Sequence, residues 1–152
     1  MADPLSVSAS VVGLIAAGAK LVSLIVRIND PPQVLTEVRS ELISLKVVID
    51  NLRTFVERSR SINATRISLV PLQDVILVFT QIVLVHSELE AFVRSRSSSS
   101  KLNQKLRGAL GRDVRVGDCL LNQLQRHKAS LSLILSIVNW YILAQDILMI
   151  AY

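Results

Sequence analysis

At 152 residues, with one cysteine, the chain is sized for a single domain with a sizeable core and cannot form an internal disulfide. Hydrophobic residues make up 51% and aromatics only 4%, so that core is Leu, Val, Ile and Ala; with five glycines and four prolines, turn residues are too few for a many-stranded β fold. The net charge of +5 is concentrated in one segment between Arg94 and Arg115.

Asp3-Pro4 reads as a helix start, with Asp at the N-cap and Pro at the first helical position. From Leu5 to Ile28 the only charges are Lys20 and Arg27, and Leu5 to Ala19 has none. A helix that apolar must be covered by a core, a partner or a bilayer. Val11, Val12, Ile15, Leu21, Val22, Ile25 and Ile28 occupy more than one face, and Ala9, Gly13 and Ala17 form a small-residue row that permits close helix approach. Ala17-Gly18-Ala19 imitates a leader cleavage site, but the preceding residues carry Asp3 and no Lys or Arg. With the lone Cys119, expected as a small buried apolar residue, this points to a reducing, intracellular location, where the sequon at Asn63 is accidental.

Asn29-Asp30-Pro31-Pro32 ends this helix and opens the next, expected over Pro31 to Arg58. Here Leu35, Val38, Leu42, Leu45, Ile49, Leu52 and Val56 recur at alternating spacings of three and four, a heptad seam, while Lys46–Asp50 and Arg53–Glu57 fall at i,i+4 on a solvated face. Ser59 to Val70 reads as a connector. A third helix runs from Pro71 to about Arg94, with Leu72, Ile76, Phe79, Val83 and Leu89 inward; the lack of ionisable residues between Asp74 and His86 makes it central. Ser95 to Ser100 reads as a loop, Lys101 to Leu110 as a short helix, and Asp113 to Val138 or beyond as a long one with Leu120, Leu124, Leu131, Ile134 or Leu135, and Val138 inward. The expectation is an all-α, antiparallel bundle of four long helices and one short one, in a single domain over 1–152.

Catalysis has little support. His86 and His127 lie on separate helices without a neighbouring cluster, and His86 reads as a helix-face residue; metal-ligand spacings and a phosphate loop are absent, so no enzyme, cofactor or metal is expected. Arg94, Arg96, Lys101, Lys105, Arg107, Arg112 and Arg115 are opposed only by Asp113. Such a segment either docks on anionic lipid or is a solvated loop. Without interleaved aromatics it does not suit nucleic acid. From Ala129 to Tyr152 the only charge is Asp146, and Trp140 lies in this run: a last core helix, a partner interface or a membrane-associating tail.

The opening Met1-Ala2-Asp3-Pro4-Leu5-Ser6-Val7-Ser8-Ala9-Ser10-Val11-Val12-Gly13-Leu14, the Pro31-Pro32 helix start, Val70 to Val75, Ser87 to Glu90 and Leu121 to Leu133 together resemble the HeLo-like N-terminal domain of fungal STAND proteins, the NOD-like receptors of fungi. The resemblance covers 1–138. It implies a cytoplasmic effector bundle ahead of a nucleotide-binding signalling domain, acting in heterokaryon incompatibility or immune-like cell death. Self-association then releases an apolar N-terminal helix into the plasma membrane. Carried over, the inserting or contacting residues are Leu5, Val12, Gly13, Leu14, Ile15, Ala17, Leu21, Leu24 and Ile25, with the seven basic residues above as the anionic-surface contact. The alternative is an adaptor that oligomerises without a membrane. Residues 139–152 depart from the family, which continues there with polar and acidic residues.

Overall fold

The computed structural model describes residues 4–62, 72–97 and 112–150, and every regular element within them is helical. Helix α1 spans Pro4–Val26, α2 Gln33–Ile62, α3 Leu72–Ser97 and α4 Arg112–Ile150. Proline suits the first position of α1 because its fixed φ is helical and its missing N–H would have no partner there. At the far end the Ile28 amide donates to the Ile25 carbonyl at 3.1 Å, and Asp30 turns left-handed at φ 58°. Aspartate is among the few residues besides glycine that tolerate this conformation. The Pro32 carbonyl then accepts from the amides of Leu35 (2.9 Å) and Thr36 (3.3 Å), which starts α2 back along α1.

The heptad seam of α2 is the spine of the core: Leu35, Val38, Leu42, Leu45, Ile49 and Leu52 are all 0–3% exposed. Each such side chain contributes roughly 1.5–3 kcal/mol by leaving water. Val11, Leu14, Leu21 and Ile25 of α1 join the same cluster, as do Val75, Phe79, Ile82, Val85 and Leu89 of α3 and Leu120, Leu124, Leu131 and Val138 of α4.

The four walls of the bundle are α1–α2, α2–α4, α4–α3 and α3–α1, which leaves α1 diagonal to α4 and α2 diagonal to α3. Gly117 near the start of α4 meets Val34 at the start of α2 and Phe92 near the end of α3. Gly13 and Leu14 lie with Phe79, and Lys20 with Glu90. Successive helices therefore alternate in direction, as an antiparallel bundle requires. Because α2 and α3 occupy opposite corners, however, the α1–α3 and α2–α4 walls are parallel pairs. In this arrangement the large side chains of α3 lie opposite the small residues of α1, and Val34 fills the space above Gly117.

Several expected boundaries and faces move. Helix α2 continues through residues 59–62 and α3 through Ser95 to Ser97, so the first residues of the expected connector and loop are helical; the rest of both segments lies outside the described residues. Helix α3 is not central: Leu77, Val83 and Leu84 are 50–60% exposed, and the buried stripe runs through Ile82, Val85 and Leu89 instead. An apolar helix placed at a corner of the bundle must leave apolar side chains outside. Trp140 is 70% exposed and so is not part of the core. The expected short helix at Lys101–Leu110 lies outside the described residues.

Candidate functional site

The wall between α1 and α3 carries the most distinctive surface. Helix α1 presents Ser10, Gly13 and Ala17 where α3 presents Ile76, Phe79, Thr80 and Val83, and the mismatch in size leaves a groove. Its lower part has a volume of about 250 Å³, lined by Ser10, Gly13, Leu14, Ile76, Phe79, Thr80 and Val83. Its upper part, about 190 Å³, shares Gly13, Leu14 and Val83 and adds Ala17, Leu21, His86, Ser87 and Glu90. The hydroxyls in this lining are already used: Thr80 donates to the Ile76 carbonyl at 2.9 Å and Ser87 to the Val83 carbonyl at 3.0 Å. What remains is an apolar floor. A Cβ at Gly13 would meet no atom within 4 Å, so the expected close approach of helices does not occur there. It occurs at Gly117, where a Cβ would lie 3.0 Å from Val34 Cγ2.

The rim carries charge. Lys20 Nζ lies 2.9 Å from Glu90 Oε1 and the Arg94 guanidinium 2.7 Å from the same oxygen. The hydrogen bond from Lys20, then that from Arg94, hold the Glu90 carboxyl below its ordinary range. His86 was expected on a helix face and is instead buried, 5% exposed, with neither ring nitrogen hydrogen-bonded within the protein. Burial pushes its pKa down to about 4. His127 is half-buried and also lowered, by burial and by Arg126. Cys119, expected inside, is exposed, because α4 turns Gly117, Leu120, Leu121 and Leu124 inward and leaves position 119 outside.

The structure divides the candidate residues of α1. Leu14, Leu21 and Ile25 are core residues, Ile15, Ala17 and Leu24 are half-buried, and Val12 and Gly13 face outward. Leu5 lies in the first turn of α1, outside the residues whose side chains are described. Of the basic set, Arg94 and Arg96 lie in the last turn of α3 and Arg112 and Arg115 in the first turn of α4, at the end of the bundle where Gly117 meets Phe92; Arg96 stacks over the Phe92 ring at 5.3 Å. Lys101, Lys105 and Arg107 lie outside the described residues. Among the described residues no group of three His, Cys, Asp or Glu is placed to hold a metal.

By length and composition, the described segment apolar enough to cross a bilayer is Gln73–Arg96 of α3, whereas Ser10–Val26 of α1 is apolar but shorter. A core helix passes the same test. Sequence reasoning missed Leu77 and Leu84 as surface residues and His86 as a core residue. Ile82, His86 and Leu89 do share one helical stripe, which was the available signal. No family model, curated protein or solved structure matches this chain.

Proposed function

We propose that the chain is a non-catalytic helical module that acts by self-association through its α1–α3 face, as the effector domain of a NOD-like receptor type protein of the kind its sequence resembles. One observation carries this reading: the outer α1–α3 face is apolar and uncharged over several turns. Val83, 50% exposed, lines the apolar groove, and Leu77 and Leu84 of α3 and Val12 of α1 add apolar side chains that are 59%, 60% and 53% exposed on the solvent side of the same two helices. Neither α1 between Pro4 and Ala19 nor α3 between Gln73 and Glu88 adds an ionisable side chain to that face apart from Asp74 at its edge, since His86 is buried. Single exposed apolar residues are ordinary, but a contiguous patch of them marks a contact surface. A second copy is a fitting occupant, because a charge-free apolar patch is complementary to itself across a two-fold axis.

Analytical ultracentrifugation tests this. The wild-type chain associates with rising concentration, and Leu84→Glu stays monomeric with an unchanged helical circular dichroism spectrum. A wild-type chain that is monomeric throughout refutes the reading. The basic end formed by Arg94, Arg96 and Arg115 favours a second reading, docking of the cytoplasmic module on an anionic plasma-membrane surface. In that case the pure domain co-sediments with anionic vesicles and not with neutral ones, and salt releases it.

A further inference from the structure

His86 sits where three helices meet. Its Cε1 lies 3.6 Å from the position a Cβ would take on Gly18 of α1. The ring also lines a small cavity of about 10 Å³ with Leu14, Ile15 and Gly18 of α1 and Leu42, Leu45, Lys46 and Ile49 of α2. Both ring nitrogens are sealed from solvent and lack a partner in the protein. A neutral imidazole tolerates this at a modest cost, but an imidazolium brings two N–H donors and a charge into an apolar site.

No facing group can neutralise that charge. From α2 comes Lys46, itself a cation, bonded to Asp50 at 2.7 Å. From α3 comes Glu90, whose carboxylate is held by Lys20 of α1 and by Arg94. Helix α4 contributes nothing to the lining of either the cavity or the upper groove. A proton on the ring is therefore hydrated only if a wall opens. The α1–α3 wall is the one already underfilled, with small residues opposite the ring and a single described ion pair, the exposed Lys20–Glu90, across it.

We infer that His86 makes the docking of α1 acid-labile: protonation of its ring opens the α1–α3 wall and loosens α1 while the α2–α4 wall stays closed. This holds for the monomer and does not depend on what covers the outer face. The direction follows from burial, which lowers the ring from an ordinary 6.5 to about 4. Above pH 6.5 the ring is neutral in both the open and the closed form, so pH has no effect. Between 6.5 and 4 the open form takes the proton first, and closure weakens steadily; below 4 the effect levels off. At pH 5 the open-to-closed ratio rises about 30-fold.

Hydrogen exchange read by mass spectrometry, corrected for the intrinsic rate, tests the inference on the intact chain. Between pH 7.5 and pH 5, α1 amides lose protection by about 30-fold, more than the amides of α2 and α4 do. In His86→Leu, which cannot titrate, α1 keeps its protection. Equal loss in that variant, or no loss in the wild type, overturns the inference. Should His86→Leu not fold, the wild type decides instead: loss of α1 protection that follows the NMR titration of the His86 ring upholds the inference, and an ordinary ring pKa, or α1 exchange that does not follow the ring, overturns it.

Discussion

The α1–α3 and α2–α4 walls are both parallel helix pairs, yet their surfaces differ in chemistry. Across α2–α4, Lys128 Nζ reaches Glu41 at 2.7 Å with side chains only 27% and 13% exposed, and Val34 packs directly on Gly117. The groove there, about 470 Å³, mixes apolar Val48, Phe55 and Leu135 with Asn51, Thr54, Ser132, Ser136 and Asn139, and water can satisfy the two side-chain amides, which have no counterpart in the α1–α3 groove. Across α1–α3 the ion pair is exposed, the glycine at position 13 has nothing against it, and the groove floor is apolar. The two surfaces thus differ in lining more than in size, and the proposed contact surface is the one without side-chain amides.

Substitutions at matched positions can break this comparison. The largest contrast is within α1 itself: Leu14→Glu forces a charge into the core and costs about 3 kcal/mol or more, whereas Gly13→Glu one residue away costs under about 1 kcal/mol. Urea unfolding measures both, and only Gly13→Glu is then a clean probe of association or vesicle leakage. Next come the two ion pairs. Lys128→Ala strands the shielded Glu41 and costs about 1–3 kcal/mol, while Lys20→Ala costs about 0.5 kcal/mol or less. Equal costs would mean that the two walls are closed alike. The smallest effect concerns glycine: Gly13→Ala stabilises by about 0.5–1 kcal/mol through helix propensity, a gain that contact with Val34 cancels in Gly117→Ala. Thermal melts of the two variants resolve the sign.

How much of this was legible depended on the contrast along each helix. In α2, charges separate the seam residues, so periodicity alone identified Leu35 through Leu52 as core. In α3 nearly every position from Val75 to Val85 is apolar, so no period distinguishes Val83, which faces out, from Ile82, which faces in. His86 was misjudged by its polar neighbours Glu88 and Glu90, when its helical spacing from Ile82 and Leu89 was the better guide. The site depended on pairing as well. That Gly13 would border a groove while Gly117 received a valine follows from which helices adjoin, and a single sequence leaves helix order around a bundle open.

The diagonal placement of α2 and α3 has a kinetic consequence. The α1–α2 wall, closed at Asp30, and the α3–α4 wall join helices consecutive in sequence, whereas the contacts Lys20–Glu90 and Lys128–Glu41 across the other two walls join positions 70 and 87 apart. Those walls cannot zip up from neighbouring turns and must wait for large loops to close, so assembly is slower than in an ordinary meandering bundle of equal length. A chain emerging from the ribosome would hold α1 half-covered until α3 arrived and α2 half-covered until α4 did, and the first interval is when the greasy amino-terminal segment is most open to chaperones or to wrong neighbours.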